Sequence, residues 1–99
     1  MPAEIIWSPT AEKSFDKLIL FLESKWNEKV IEKLFTDLNK SLEAMSNRPE
    51  IFPVYSENKK LRKCVLRKKT LLLYRIKPNH IIELAIFVDS RQNPNKYKF

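Results

Sequence analysis

Apolar residues change their spacing midway along this chain. Up to Met45 they recur at steps of three and four; from Leu61 onward they gather in short runs with strand-like alternation. A stripe at period 3.6 needs a helix to collect it on one face, whereas alternation needs a strand. Ala11, Phe15, Leu18, Ile19, Leu22 and Trp26 form one helical stripe, over Pro9–Trp26. Val30, Ile31, Leu34, Phe35, Leu38, Leu42 and Met45 form a second, over Glu28–Met45. Ser8 is placed to cap the first helix, with Pro9 at a position where no N–H is missed and Glu12 in the first turn. Asn27 is placed to cap the second, and Pro49 prevents its continuation. So short a connection between two amphipathic helices predicts an antiparallel hairpin.

The remaining elements read as strands. "AEIIW" sets Ala3, Ile5 and Trp7 on one side and predicts a short opening strand. Ile51–Lys60 reads as irregular, because Pro53 cannot donate in a central strand; Ile51, Phe52, Val54 and Tyr55 can still pack under the fold as a lid-like loop. Leu61–Leu66, Thr70–Ile76 and Ile81–Val88 predict three strands. The turns between them, Arg67–Lys69 and Lys77–His80, are short enough to dictate antiparallel hairpins. Strict alternation sets Leu72, Tyr74 and Ile76 against Leu71, Leu73 and Arg75. On the last strand it sets Ile82, Leu84, Ile86 and Val88 against Ile81, Glu83, Ala85 and Phe87, and apolar residues on both faces imply a central position. The expected fold is α+β in the order β-α-α-β-β-β, an antiparallel sheet packed against a helical hairpin, with residues 1–99 as one domain.

The 99 residues include no glycine. That excludes phosphate-cradling loops, the dinucleotide fingerprint and the nucleophile elbow, and leaves tight turns to Asn, Asp, Lys or Pro. One cysteine, Cys64, and one histidine, His80, cannot supply a metal-ligand spacing or a Ser-His-Asp or Cys-His arrangement, so neither metal nor cofactor is expected. Cys64 has basic neighbours that could activate it, but reads as a small packed side chain. No apolar run reaches 18 residues, and "MPAEIIWSPTAEK" lacks the basic and long apolar regions of a signal peptide. The expectation is a cytoplasmic protein with no membrane partner.

Charge is distributed unevenly. Residues 1–50 carry 7 Lys/Arg against 9 Asp/Glu, a balance of −2, and residues 51–99 carry 12 against 3, a balance of +9. Such asymmetry points to a polyanionic or acidic partner. "KKLRKCVLRKK", Lys59–Lys69, holds seven cations in eleven positions. Arg62 and Lys63 must face opposite ways on a strand, so the cations cannot all decorate one surface. Lys59, Lys60, Arg67, Lys68 and Lys69 gather at the two strand ends and, with Arg75, form the candidate partner-binding set; the same charges would also guard a sheet edge against aggregation. Trp7, Phe15 and Trp26 carry core periodicity and are assigned to packing. Tyr97 and Phe99 lie beyond the last strand. Tyr97, six positions after Arg91, could stack on a base, take part in proton transfer, or fold back over an apolar gap.

Two stretches, "IIWSPTAEKSFDKLILFL" (Ile5–Leu22) and "LRKCVLRKKTLLLYRIKPNHIIELAIFVDSRQNP" (Leu61–Pro94), resemble the RelE/ParE superfamily of toxins from bacterial type II toxin–antitoxin systems. The first is similar to the family's opening strand and "S-P-x-A" helix start. The second is similar to its arginine-bearing strand, its "YYR"-type strand, its apolar last strand and its terminal "R-x-x-P". The resemblance implies a growth-arresting toxin neutralised by a cognate antitoxin with an acidic, amphipathic segment. It also implies one of two targets. RelE-like members are ribosome-dependent mRNA endoribonucleases; ParE-like members act on DNA gyrase and are not enzymes of this kind. Laid side by side without gaps, Arg62 falls at a catalytic lysine position, Cys64 at a second lysine position and Leu71 at a catalytic arginine position. Arg91 and Tyr97 fall on the terminal arginine and tyrosine. Arg62, Arg91 and Tyr97 are therefore the catalytic candidates of a RelE-like enzyme. The departures at Cys64 and Leu71 favour the ParE-like arm, with Arg75 or Lys69 as conceivable substitutes. Outside the toxin class, a basic nucleic-acid-binding module without toxicity stays open.

Overall fold

A computed structural model describes residues 2–25, 27–67 and 69–92. The elements run β1 (Glu4–Trp7), α1 (Pro9–Lys25), α2 (Glu28–Asn47), β2 (Val54–Ser56), β3 (Leu61–Arg67), β4 (Thr70–Lys77) and β5 (Ile81–Asp89). They form a helical hairpin laid on one face of a five-stranded sheet of order β1-β5-β4-β3-β2. The three late strands are antiparallel hairpins, as their short turns dictate. The sheet as a whole is mixed rather than antiparallel throughout, because β1 joins β5 in parallel, from Glu4 beside Ile81 to Trp7 beside Leu84. The connection from β1 to β5 runs through the helical hairpin and the rest of the sheet, ample chain for a parallel pairing.

Local chemistry sets the helix starts. Ser8 Oγ accepts the Ala11 N–H at 3.0 Å, and Asn27 Oδ1 accepts those of Lys29 and Val30 at 3.1 and 3.4 Å. Each side chain satisfies N–H groups that the first helical turn leaves open. α1 buries Ala11, Leu18 and Leu22, and lies across β5; α2 buries Leu34, Leu38 and Met45, and lies across β3. Beneath them the sheet contributes Cys64, Leu66, Leu72, Tyr74, Ile82, Leu84 and Phe87. Trp7, Phe15 and Phe87 form an aromatic knot with ring centroids 4.9–5.4 Å apart. The segment 51–60, expected to be irregular, contains the three-residue strand β2. Pro53 stands just before it, and β2 lies at the sheet's edge, where a missing donor costs least. Phe52 packs against the core, whereas Ile51, Val54 and Tyr55 are exposed.

A second correction concerns β5. Leu73 pairs with Ile86, but Tyr74 pairs with Leu84, so Ala85 is an extra residue. This β-bulge reverses the alternation. The helix-facing set is Ile82, Leu84, Phe87 and Asp89, not Ile82, Leu84, Ile86 and Val88. The bulge is fastened by two serines of the α1 region. Ser8 Oγ–H donates to the Ala85 carbonyl at 3.0 Å, and the Phe87 N–H donates to Ser14 Oγ at 2.9 Å. Without glycine, the sharp turns fall on Lys60, Asn79 and His80, with φ of 55°, 66° and 57°. Asn tolerates this left-handed region, while Lys and His adopt it at a cost of about 1 kcal/mol each. Among the described residues no helix is long and apolar enough to cross a membrane.

A candidate functional face

β3 distributes the basic residues as alternation requires. Arg62 pairs with Tyr74 and Cys64 with Leu72, so both point toward the helices; Lys63 pairs with Leu73 and points away. The buried Cys64 therefore fixes the side on which Arg62 stands. Arg62 Nη1 donates to the Phe52 carbonyl at 2.7 Å and the Glu50 carbonyl at 3.3 Å. Beside it, Tyr74 Oη–H donates to the Pro49 carbonyl at 2.7 Å. The two side chains fasten the loop after α2 to the sheet, and burial pushes the Tyr74 phenol up to about 12 despite the nearby Arg62 charge. Cys64 is fully buried, and burial likewise raises its thiol, which leaves it protonated and unreactive.

Arg91 follows the end of β5. Its Nε and Nη2 donate in a fork to the carboxylate of Asp89, at 2.9 Å for the Nε bond, and its backbone N–H donates to the same group at 2.9 Å. Thr70 Oγ1–H adds a fourth bond at 2.7 Å. Asp89 is fully buried. Burial alone would raise its carboxyl, but the hydrogen bonds from Arg91 and Thr70 outweigh that and hold it below the ordinary value; Arg91 in turn is raised, chiefly by its bond to Asp89. Tyr97, the other terminal candidate, and Lys68 lie outside the described residues.

The remaining cations form two poles. Lys59 and Lys60 precede β3, and at the same end of the sheet Arg75 Nη1 and Lys77 Nζ share Glu83, at 3.5 and 3.8 Å. Arg75 Nε also donates to the Lys59 carbonyl at 3.0 Å. Arg67 and Lys69 lie at the opposite end, near Arg91, where the Ser90 N–H donates to the Lys69 carbonyl at 3.0 Å. Seven strand residues separate the poles by roughly 20 Å. Arg67 Nη1 is buried and finds no acceptor among the described residues. The gap-free comparison of strands selected Arg62, which faces the helices; Lys63 and Glu83 stand on the open face. The apolar pair Cys64 and Leu66 was the available signal, but Leu61 and Val65 on the opposite parity offered an equally apolar choice.

Where the face turned away from the helices meets the start of α1, Ser8, Thr10, Lys59, Leu61, Arg75, Ala85 and Ile86 line an open groove of about 510 Å³. Aliphatic and hydroxyl side chains share this lining with the cations Lys59 and Arg75. Trp7, Phe15 and Phe87 lie on the other side of the sheet, in the core.

The model of a family described as the ParE toxin of the type II toxin–antitoxin system parDE matches residues 5–94. No curated protein matches by sequence at a significant level. Among solved structures, the chain is similar to the RelBE2 toxin–antitoxin complex of Mycobacterium tuberculosis, with a TM-score of 0.60, 16% identity and coverage of 90% of this chain and 99% of the other. It is similar to the E. coli DinJ–YafQ toxin–antitoxin complex, with a TM-score of 0.62, 11% identity and coverage of 94% and 98%. A YoeB/ParE toxin from Agrobacterium tumefaciens gives a TM-score of 0.62, 8% identity and coverage of 87% and 97%. At such identities the likeness speaks to the fold alone.

Proposed function

This chain belongs to the ParE toxin family of type II toxin–antitoxin systems, and from that premise we propose that it arrests growth by acting on DNA gyrase in the cytoplasm, held in check by a cognate antitoxin with an acidic, amphipathic segment. The observation that carries the choice of target is the engagement of its would-be catalytic arginines. An mRNA endoribonuclease of the RelE-like kind needs cations aimed at the scissile phosphate to stabilise the charge of the phosphorane. Here Arg62 faces the helices and serves loop carbonyls, and Arg91 is forked onto a buried carboxylate. Cys64 and Leu71 stand where two further basic residues would be needed, and Cys64 is fully buried. Breaking the Asp89–Arg91 pair to release a phosphate ligand would strand a buried carboxylate, a cost of several kcal/mol.

Solved complexes of RelBE2 and DinJ–YafQ contain an antitoxin, and the +9 balance of residues 51–99 supports an acidic partner for this chain as well. A RelE-like reading draws its support from Lys63 and Arg75, both on the open face. Inducible expression in bacteria separates the two. The expected outcome is growth arrest with altered plasmid supercoiling and intact mRNA, together with inhibition of purified gyrase. Ribosome-dependent mRNA cleavage, slowed about 10²-fold or more by Arg91→Ala, would establish the RelE-like reading instead.

A further inference from the structure

We infer that this chain binds a second copy of itself head to tail, with the helical hairpin of one copy seated on the open sheet face of the next. The two helices sort their charges by sign. On α1, Glu12, Asp16, Ile19 and Glu23 follow at i, i+4, i+7 and i+11; on α2, Glu28, Glu32, Phe35 and Asn39 do the same. That spacing collects each set on one stripe. One position further along, Lys13 and Lys17 on α1, and Lys29, Lys33 and Lys40 on α2, make a separate basic stripe. Every stripe therefore holds like charges at i, i+4, an arrangement that weakens its own helix. No ion pair relieves it among the described residues of α1 and α2. Phe15 meets Phe35 edge-on with ring centroids 5.6 Å apart, which turns the two acidic stripes towards one another and leaves the lysines on the outer flanks. The seam between the helices is acidic along its length, interrupted by Ile19 and by Phe35, which is 43% exposed.

The complement of this seam is carried by the same chain. On the open face Val65, 53% exposed, stands in a row with Leu71 and Val88 across three strands. Arg75 lies towards one end of that face and Lys69 towards the other, at poles roughly 20 Å apart. Eleven helical residues separate Glu12 from Glu23, about 16 Å. Both faces thus run charge, apolar surface, charge, with opposite signs and matching spacing. A metal ion would answer only the charge, and among the described residues no group of side chains is placed to hold one. The seam and the open face lie on opposite sides of the molecule, so their contact is heterologous and extends with concentration unless its rotation closes a ring. The net charge of +7 does not forbid it. The sheets of successive copies are a molecule's thickness apart, 22 Å at the least, beyond the Debye length of about 10 Å at 0.1 M salt. About 16 Å long and two helix widths across, about 20 Å, the seam falls short of the roughly 800 Å² per partner of a stable complex, which makes the contact weak and reversible. Self-association covers the basic face of each seated copy and so competes with any acidic partner for it.

Sedimentation velocity of the full chain over a dilution series tests this. At 0.1 M salt the mean mass should climb above the 11.8 kDa of one chain as concentration rises. At 1 M, where the screening length is about 3 Å, it should return to that of one chain. Asp16→Asn, Glu28→Gln and Glu32→Gln together should weaken association about tenfold, the loss of three exposed ion pairs. Their thermal melt should not fall, because like-charge repulsion within the helices goes with them. Lys69→Gln with Arg75→Gln should weaken association severalfold from the other side, with circular dichroism verifying the fold. Glu4→Gln with Glu50→Gln, acids outside the seam, should change it less than twofold. A mixture distinguishes head-to-tail contact from a symmetric dimer. The seam variant keeps an intact sheet and the sheet variant an intact seam, so together they should form a one-to-one pair that does not grow, at concentrations where each alone is a monomer. Amide signals that move on dilution should fall on both faces, Asp16, Glu32 and Phe35 together with Val65, Lys69 and Leu71. A mass of one chain at every concentration, association indifferent to salt, or two variants that fail to pair when mixed would each overturn the inference. A seam that answers a lysine–leucine peptide in a chain that stays monomeric would assign it to a different protein, and overturn it as well.

Discussion

Asp89 gathers more of the molecule's polar chemistry than any cation of the basic stretch. Its carboxylate is fully buried and accepts four hydrogen bonds, three from Arg91 and one from Thr70. Replacing Asp89 with Asn keeps the shape but removes the charge opposite Arg91. We expect Asp89→Asn to cost about 2–3 kcal/mol at pH 7, less than a fully buried pair because Arg91 stays 26% exposed. In a domain of this size that corresponds to a fall in Tm of very roughly 10–20 °C. The sign of the pH dependence follows from the lowered carboxyl. A depressed folded pKa contributes stability that is complete above the ordinary value of 3.8 and disappears as pH falls through the lower folded value. Urea denaturation at pH 7 and near pH 3 should therefore show the wild type and Asp89→Asn converging in acid. A gap as wide at pH 3 as at pH 7 would mean that the carboxylate's ionisation is not what stabilises the strand end.

At the scale of elements, the helices were legible because their stripes, caps and stops agree; both begin at the residue their caps require. The late strands were legible for the same reason, with short turns leaving them no parallel option. The bulge was not. Ile81, Ala85 and Phe87 are as apolar as Ile82, Ile86 and Val88, so a phase shift at Ala85 leaves no trace in the pattern. The parallel docking of β1 beside β5 joins residues more than seventy positions apart, and nothing local encodes it. What fastens the bulge is Ser8, just before α1, together with Ser14, one turn into it. Ser14 Oγ–H donates to the Ala11 carbonyl, and its oxygen accepts from the Phe87 N–H. Ser14→Ala should leave that strand N–H unpaired beside the core, at about 1–3 kcal/mol. Ser24→Ala, an exposed serine with the same bond back to its own helix, should cost less than about 0.5 kcal/mol. Equal midpoints for the two variants in chemical denaturation would show that α1 does not hold the bulge in place.

Across the whole molecule, the charge asymmetry becomes a division between layers. Residues 1–50, with a balance of −2, supply the opening strand and both helices, while the described residues from 51 onward, with nine Lys/Arg against three Asp/Glu and so a balance of +6, supply the four strands β2–β5. The fold thus sets a basic sheet against a mildly acidic helical layer, and an acidic partner is drawn toward the sheet from a distance. Within the sheet the attraction has two sources, Lys59, Lys60, Arg75 and Lys77 at one end and Arg67, Lys69 and Arg91 at the other. Their separation of roughly 20 Å exceeds the Debye length of about 10 Å at 0.1 M salt, so near physiological ionic strength the two poles act as independent sources. Association with an acidic, amphipathic antitoxin segment should then slow at least tenfold between 0.1 M and 1 M salt, where the screening length shrinks to about 3 Å, while dissociation changes less because apolar contacts are not screened. Stopped-flow association rates measure this directly. Charge reversal at Lys59 and Lys60 should lower the rate at 0.1 M, and reversal at Lys69 should lower it further by a factor that multiplies the first, as independent poles require. At 1 M salt both effects should vanish. Rates that do not respond to salt would assign recognition to the apolar surface alone and leave the basic stretch from Lys59 to Lys69 as protection for the edge of the sheet.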